Sequence, residues 1–485
     1  MMEMQEKLFI NNEYVASHTS ERLTVHNPYD GSLVSDKIEV ALEEDVDLAV
    51  SAAEAAFPTW QAMTGVQRSA LMLKYADLVE KHTQQIAQLE SQCMGAPMML
   101  ATRVVGNHVA AFRYYAGLTD KIGGTTYAED GDGFFKMVLQ EAIGVCAGIG
   151  AWNATPIFSA LKIAPAIAAG NTFVFKASEK SPLGALYLGQ LFCEAGFPPG
   201  VVNFVSGGPA TGALLASHMG IRKISYTGSV SGGRAVQDAA TKSNLKQVTL
   251  ELGGKSAALV FDDAHLETAI SHCSQTFALN GAQVCSAASR VLVHRDIADA
   301  FIAGISAAFK QLAAAHGAPA EAFFGPLVDK QHRQRVQAFV DAARDEGVKV
   351  VAGEVPDHPT ALFMPPTILI DPPTNSRAYR EEIFGPVLAV KTFSTEEEGL
   401  ALANNSSYGL AAAVFTSSMP RALRVTRALH VGMVGVNSPV LPLSQLPWGG
   451  CKESGYGREG GMAGLEEYLQ SKTVMISMKD PTSAK

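Results

Sequence analysis

Between residues 170 and 261, short apolar runs alternate with longer stretches in which apolar residues recur every three or four positions. The short runs are typical of buried strands, and the longer stretches of amphipathic helices. Ser181-Pro182 supplies an N-cap and a first-turn proline for one helix, and Gly196 marks its end. The pattern predicts strands at 172–175, 201–205, 223–226 and 248–252, with helices at 182–195, 209–219 and 229–241 between them.

Helical crossovers of this length join parallel strands, because a tight hairpin can join only antiparallel ones. We therefore expect an α/β fold built on a doubly wound, Rossmann-like parallel sheet. A second α/β series follows, in which Asn280-Gly281 ends the helix. It has a predicted strand at 257–261, a helix at 264–279 and a strand at 290–294.

Residues 134–141 and 472–478 are β-like segments at the two edges of this plan. Strands in such places present unpaired backbone groups to any partner. The pattern leaves two interpretations open, an arm that pairs with another subunit and a plain edge strand.

The composition is that of a globular protein, with 47% hydrophobic and 18% charged residues. The net charge is -9 and no stretch is strongly basic, which argues against nucleic acid as a partner. The N-terminus lacks an apolar leader, and the apolar run at 142–152 is shorter than the roughly 18 residues that span a bilayer, so we expect no membrane association. Six widely spaced cysteines without a C-x-x-C pair predict neither a metal site nor a disulfide framework, and favour a reducing, cytoplasmic location.

Three residues are candidates for chemistry. Cys285 lies in the polar segment N-G-A-Q-V-C-S between a helix end and a strand, where a thiol can act as a nucleophile, whereas most intracellular thiols are small buried hydrophobic groups. Glu251 closes the fourth predicted strand, at the edge where parallel sheets bind ligands, and a catalytic role explains it better than a structural ion pair. Asn153 offers an amide that can stabilise an oxyanion or simply cap a turn.

The segment T-G-S-V-S-G-G at 227–233 lies between a strand and a helix. The free N–H groups of a helix N-terminus at this place can bind a pyrophosphate. The usual G-x-G-x-x-G pattern is absent, so an ordinary glycine-rich turn explains the segment about equally well.

The chain carries eight motifs: V-x-N-P at 25–28, W-N at 152–153, F-K-A-S-E at 175–179, T-G-S-x-x-x-G at 227–233, L-E-L-G-G-K at 250–255, Q-x-C-S-A-x-S-R at 283–290, E-E-I-F-G-P-V at 381–387 and P-W-G-G-x-K-x-S-G-x-G-R-E at 447–459. In this order they resemble the NAD(P)-dependent aldehyde dehydrogenase superfamily. The resemblance covers nearly the whole chain. It is greatest to the betaine and aminoaldehyde branch, without that branch's full aromatic cage.

The resemblance implies NAD-dependent oxidation of an aldehyde to a carboxylic acid. It implies that Cys285 forms a thiohemiacetal and then a thioester, that Glu251 activates the hydrolytic water, and that Asn153 and the Cys285 backbone N–H stabilise the oxyanion. Lys162 matches a lysine near that amide. The implied cofactor-binding residues are Trp152, Lys176, Ser178, Glu179, Gly228, Ser229, Gly233, Leu252, Glu382 and Phe384.

A carboxylate at Glu179 can accept hydrogen bonds from both ribose hydroxyls but repels a 2′-phosphate, so we expect NAD rather than NADP. The resemblance also implies a homodimer or homotetramer formed through a β arm. It divides the chain into a cofactor domain (1–120 and 143–252), a catalytic domain (253–451), an arm (121–142 and 468–485) and a segment that returns to the cofactor domain (452–467).

The substrate is expected to be a neutral, mostly apolar aldehyde. Trp448 resembles enzymes that oxidise trimethylammonium aldehydes, but Ala154 and Leu279 stand where those enzymes commonly have aromatic rings, and a cation needs such ring faces. The expected pocket lies near Ala154, Leu279, Val284 and Trp448.

Two departures from the family pattern concern the site. Thr155 replaces a proline, which here comes one place later at Pro156, and Ala282 replaces a glycine three places before the nucleophile. If the backbone at 282 has a positive φ, alanine costs about 1 kcal/mol of stability.

Two alternative functions therefore stand beside that of a hydrolytic aldehyde dehydrogenase. One is an enzyme that passes the thioester to coenzyme A, although such relatives generally lack a glutamate at the place of Glu251, and the other is a degenerate homologue with a structural or binding role.

Overall fold

The computed structural model describes residues 4–314, 323–353 and 362–479. Its helices are α1 Glu43–Ala62, α2 Gly65–Lys81, α3 Thr83–Met94, α4 Met98–Ala116, α5 Thr155–Ala168, α6 Leu183–Ala195, α7 Pro209–Ser217, α8 Val230–Lys242, α9 Leu266–Ser271, α10 Ala298–Ala314, α11 Lys330–Asp345, α12 Arg377–Arg380, α13 Glu396–Asn404, α14 Met419–Ala428 and α15 Gly461–Glu466. Its strands are β1 Leu8–Ile10, β2 Glu13–Val15, β3 Arg22–His26, β4 Leu33–Glu39, β5 Thr125–Tyr127, β6 Phe134–Ala142, β7 Val145–Ile149, β8 Thr172–Lys176, β9 Val202–Val205, β10 Lys223–Thr227, β11 Gln247–Glu251, β12 Ala257–Val260, β13 Arg290–His294, β14 Lys349–Ala352, β15 Thr367–Ile370, β16 Val387–Phe393, β17 Tyr408–Gly409, β18 Ala411–Phe415, β19 Met433–Val436, β20 Cys451–Lys452, β21 Gly455–Tyr456 and β22 Leu469–Ser477.

The first sheet has the order β2-β1-β9-β8-β7-β10-β11-β21, and its strands from β9 to β11 are parallel. Phe173 and Phe175 of β8 pack into one core cluster and Val174 into another, so both faces of the sheet are covered. This confirms the predicted α/β class. The chain moves outward in opposite directions from β7, and the gap between β7 and β10 is therefore the switch point at which such sheets bind ligands.

The second sheet has the order β14-β15-β16-β13-β12-β18-β19 and is parallel except for β14. The helix predicted at 264–279 differs from a regular helix. It begins as α9, widens into a π turn at 272–276 and ends in a 3-10 turn at 279–282. A π turn inserts extra backbone into a helix and is frequent at functional sites. Hydrophobic spacing alone does not reveal it.

The two β-like edge segments pair with each other. Strand β22 runs antiparallel to β6 from Leu469 opposite Ala142 to Ser477 opposite Phe134, and β5 adds a third strand. The two predicted edge segments are thus partners of each other within one chain. The predicted oligomer stays a prediction. The short strand β21 joins the first sheet beside β11, where the sequence predicts a returning segment.

Among the residues in the described ranges, no helix combines the length and apolarity that a membrane crossing requires.

Candidate active site

Cys285 lies in the loop that connects the turn at 279–282 to β13. The fully buried side chain of Gln283 anchors this loop. Its amide donates to the carbonyls of Asn280 (2.8 Å) and Pro326 (3.1 Å), and its oxygen accepts from the Val328 N–H (2.9 Å). Three hydrogen bonds to a buried amide give the thiol a defined position, because leaving such a group unpaired is costly.

The Cys285 side chain is half-buried and contacts a cluster that contains Trp448 and Leu410. Burial, together with the charges of Glu382 and Glu251, raises the pKa of the Cys285 thiol to about 12. The thiol is therefore protonated near neutral pH. A proton acceptor or a nearby positive charge is needed to activate it.

Ala282 belongs to a left-handed turn just before the nucleophile. Asn280, Gly281 and Ala282 have φ values of 57°, 63° and 58°. The backbone at 282 therefore has a positive φ, and alanine at this position costs about 1 kcal/mol of stability relative to glycine. The alanine side chain is buried in the second sheet's core with Phe277 and Phe324, which offsets part of this cost.

Asn153 precedes α5 and lies against the nucleophile loop. Its Nδ2 donates to the Gln283 carbonyl (3.0 Å), and Asn280 Nδ2 donates to the Asn153 carbonyl (3.3 Å). A primary amide carries two N–H donors, so one stays available for an oxyanion. The shifted Pro156 lies in the first turn of α5, where proline is favoured because the missing N–H has no helical partner.

Glu251 ends β11 with a buried carboxyl group. In the described part of the chain neither carboxyl oxygen has a hydrogen-bond partner. Burial raises the pKa of Glu251 well above its ordinary value and the charge of Glu459 adds to this, while Lys162 and Arg458 oppose it. Burial thus makes the Glu251 carboxylate a stronger proton acceptor than an exposed one.

Lys162 reaches side chains of the first sheet, and its expected place near the Asn153 amide stays a prediction. Its ammonium donates to Thr227 Oγ1 (2.7 Å) and Ser225 Oγ (3.0 Å) and forms a buried ion pair with Glu459. Of the hydrogen bonds that the described residues make with Lys162, none involves Asn153. Lys162 therefore acts on the site through the charge that it places near Glu251.

The glycine segment 228–233 lies at the switch point between β10 and α8. Ser229 caps the helix by accepting from the Gly232 N–H (3.1 Å). A Cβ at Gly228 or Gly232 would overlap the Tyr226 hydroxyl, and one at Gly233 would lie 2.6 Å from Leu252. Glycine at these positions therefore avoids the Tyr226 and Leu252 side chains. The Gly228 and Gly233 N–H groups donate to the carbonyls of Glu251 (3.0 Å) and Ser229 (2.9 Å).

Polar residues at the end of β8 lie beside this turn. Ser178 Oγ donates to Glu179 Oε2 (3.3 Å), and Lys176 Nζ lies 4.0 Å from the same carboxylate. Burial lowers the pKa of Lys176 to about 8. Burial raises the pKa of Tyr226 and the charge of Glu179 adds a smaller contribution, so Glu179 lies close enough to act on the residue beside the glycine turn.

Glu382 and Phe384 are held on the other side of the cleft. Glu382 Oε1 accepts from the Gly254 N–H (2.9 Å), and burial raises the pKa of Glu382 to about 7. Arg335 donates to the Glu382 carbonyl (2.7 Å), and His332 Nε2 donates to the Phe384 carbonyl (2.7 Å). Trp152 packs edge-on against the Phe384 ring at 5.4 Å between centroids.

A cavity of about 350 Å³ adjoins the nucleophile. Its lining is mainly apolar and includes Cys285, Asn153 and all four predicted pocket residues, Ala154, Leu279, Val284 and Trp448. The lining and volume suit a small organic ligand. Within the described ranges, no three His, Cys, Asp or Glu side chains form a group that could hold a metal ion.

Sequence reasoning missed several residues that shape the site. Gln283 and Gly449 lie inside two of the eight sequence motifs. Their positions in these motifs could have identified them as candidate site residues. Tyr226 lies in a predicted strand, while His332 and Arg335 lie on α11 without any local signal. Only the tertiary structure brings α11 to the Glu382 loop.

Residues 14–474 match the model of the aldehyde dehydrogenase family. The chain belongs to the aldehyde dehydrogenase family. It is 41% identical to retinal dehydrogenase 2 of Homo sapiens over 482 residues, 98% of this chain and 93% of that relative. Aldehyde oxidation is therefore its reaction class, as the motifs predict, and the chain is an enzyme.

Solved structures of the family resemble this aldehyde dehydrogenase over nearly their whole length. PnpE of Pseudomonas sp. WBC-3, solved in complex with nicotinamide adenine dinucleotide, has a TM-score of 0.95 and 39% identity, with 99% of this chain and 100% of that chain covered. Betaine aldehyde dehydrogenase of Staphylococcus aureus, solved with NAD+, has a TM-score of 0.95 and 33% identity over 98% of this chain and 95% of that one.

Proposed function

We propose that this enzyme oxidises an aldehyde to a carboxylic acid with NAD through a covalent thioester on Cys285. The observation that carries the proposal is the common position of Cys285 and Asn153 on one apolar cavity, with Glu251 and Glu382 near enough for their charges to act on the thiol. The nucleophile, an oxyanion donor and a candidate base are thus grouped around one space.

The residues of the cleft fit a dinucleotide. The N-terminus of α8 at Ser229 suits the pyrophosphate through its helix dipole, Lys176 and Glu179 suit the adenosine ribose, and Glu382 with Phe384 suits the nicotinamide end. The relatives solved with NAD support the same cofactor.

Cys285 begins the reaction by transferring its proton to the Glu251 carboxylate, and its sulfur bonds to the aldehyde carbon. The carbonyl oxygen becomes an oxyanion, to which the free Asn153 N–H and the Cys285 backbone N–H donate, each contributing roughly 2.7 to 4 kcal/mol. NAD held by the cleft residues would supply the hydride acceptor. The carbon then stands as a thioester on Cys285.

Glu251 releases the Cys285 proton to solvent and then takes a proton from water, whose oxygen attacks the thioester carbon. The carbon–sulfur bond breaks, the acid leaves, and Glu251 returns the proton to the Cys285 thiolate, which restores the thiol and the carboxylate. A carboxylate with a raised pKa is a stronger base than an exposed one, and Glu251 meets this condition when it is deprotonated. A base in this position favours hydrolysis over transfer to coenzyme A.

A pre-steady-state experiment tests the proposal. Mixing enzyme, NAD and hexanal should give a burst of NADH that is absent in Cys285→Ala, whereas Glu251→Gln should keep the burst and lose steady-state turnover. Restoration of Glu251→Gln turnover by coenzyme A would support the acylating alternative. An absence of NADH with a broad aldehyde panel would support the degenerate homologue.

We also propose a homodimer or homotetramer that uses the β5-β6-β22 sheet. Leu139 on β6 and Met475 and Ile476 on β22 are exposed hydrophobic residues on that sheet. Exposed apolar strands at a sheet edge favour pairing with a second copy. Light scattering after size exclusion measures the state, and a monomer at all concentrations would contradict the proposal.

A further inference from the structure

One wall of the substrate cavity is a face of α4. The lining residues Met99, Leu100, Arg103, Val104 and Asn107 follow the three- and four-residue spacing that places side chains on one side of a helix. Leu100 is buried, while Met99 and Arg103 are exposed. The α4 wall therefore runs from the interior of the cavity to its mouth.

Arg103 is a charged group without a protein partner in the described ranges, where it forms no ion pair and no hydrogen bond. Arg113, on the same helix, differs in this respect, because it pairs with Asp77 (2.8 Å) and Glu80 (2.7 Å). Asn107, one turn beyond Arg103, likewise has no hydrogen-bond partner for its amide among the described residues. The α4 wall thus presents a free guanidinium and a free amide.

The rest of the described lining carries no opposing charge. It contains no aspartate or glutamate. His272 also lines the cavity, and burial lowers its pKa, so that it is neutral near pH 7. Arg103 is therefore the only charged side chain of the described lining near neutral pH.

We propose that the physiological substrate is an ω-carboxy aldehyde whose carboxylate binds to Arg103 at the cavity mouth while its aldehyde group reaches Cys285. A guanidinium matches a carboxylate with two parallel N–H donors, and the Asn107 amide adds a third. Apolar side chains such as Ile157, Phe158 and Leu161 line the space between and suit a carbon chain or ring. This inference rests on the proposed function and replaces the expected neutral substrate.

Arg103 also argues against a cationic aldehyde. A trimethylammonium group would meet a like charge at the mouth of the cavity. The cavity also offers it no aromatic walls at Ala154 and Leu279. A neutral aldehyde would leave the guanidinium in water and gain nothing from it. Only an anionic substrate uses the charge.

The test compares two aldehydes of equal chain length, 6-oxohexanoate and hexanal. We expect kcat/KM to favour 6-oxohexanoate by about 10- to 100-fold, as charged hydrogen bonds allow. The ratio should fall toward one in Arg103→Met, mainly through KM, and take an intermediate value in Arg103→Lys. The matched control Arg113→Met should retain the wild-type ratio.

A second measurement does not depend on turnover. Adipate should protect Cys285 of the wild type against iodoacetamide, and Arg103→Met should lose this protection. An equal or higher kcat/KM for hexanal in the wild type would overturn the substrate proposal, as would an unchanged ratio in Arg103→Met. Failure of the proposed function looks different, because neither aldehyde would then give NADH.

Discussion

Gly449 leaves the space that the Glu251 carboxyl group occupies. A Cβ at position 449 would lie 2.5 Å from Glu251 Oε1, and Gly449 has a φ of 154°, which side chains rarely adopt. These two observations explain why the P-W-G-G motif has glycine at position 449. The motif and the strand-end glutamate are far apart in sequence and meet only in the fold.

Gly449→Ala should displace the Glu251 carboxyl group and slow thioester hydrolysis. We expect kcat to fall by about 100-fold, since a misplacement of about 1 Å has that effect on a catalytic group. The NADH burst should persist when measured by stopped flow. The control Gly106→Ala adds a Cβ with nothing within 4 Å and should keep full turnover. A Gly449→Ala variant with normal kcat would contradict the assignment of Glu251.

Ala282→Gly should stabilise the protein modestly. Relief of the left-handed strain gains about 1 to 2 kcal/mol, while the greater freedom of glycine in the unfolded chain costs about 0.4 to 1 kcal/mol. The net gain in the free energy of unfolding is therefore about 0 to 1.6 kcal/mol, with a midpoint of about 0.8 kcal/mol, and urea unfolding measures it. Ala282→Val, with a branched side chain at the same φ, should be destabilising. Destabilisation by glycine would show that packing of the Ala282 methyl outweighs strain.

The reactivity of Cys285 in the cofactor-free enzyme should rise with pH well beyond the range of an ordinary thiol. Because burial raises its pKa to about 12, the thiolate fraction increases about tenfold for each pH unit below that value. The rate of iodoacetamide labelling at Cys285, followed by peptide mass spectrometry, should therefore still climb at pH 10, where glutathione has levelled off. A plateau near pH 8.5 would contradict this environment.

The enzyme should prefer NAD to NADP. Glu179 repels a 2′-phosphate by its charge, and its side chain is only partly exposed, so the repulsion is not fully screened. The ratio of kcat/KM for the two cofactors measures this preference. Glu179→Gln keeps the shape of the side chain and removes its charge, so this variant should show a smaller preference for NAD. A wild-type ratio that favours NADP would refute the role of Glu179 in cofactor choice.

Lys162→Met should be strongly destabilising, because it leaves the buried Glu459 carboxylate without its partner. Such a loss costs about 3 to 5 kcal/mol in the free energy of unfolding. Replacing both partners, as in Lys162→Met with Glu459→Leu, should recover much of this cost because no unpaired charge remains. Urea unfolding of the three proteins checks the order, and equal stability of the single and double variants would contradict it.

Local patterns predicted the parallel strands β8 to β11 and the helix between Ser181 and Gly196 because each depends on neighbouring residues alone. The same reasoning failed for the helix at 264–279, since a π turn satisfies the same hydrophobic spacing. It did not reveal the buried partner of Lys162, because Glu459 lies 297 residues away in the chain. It also overlooked Arg103, which has no motif around it and gains meaning only from the cavity beside it.

The sequence by itself determined the α/β class, the family and the identities of Cys285, Glu251 and Asn153 as candidates, because periodicity and ordered motifs are local properties of the chain. The tertiary structure alone decided which groups meet. It set the positive φ of Ala282, the space at Gly449 for Glu251, and the free charge of Arg103 at the cavity mouth. Distances, burial and unpaired charges depend on elements brought together from distant parts of the chain, and no local pattern contains them.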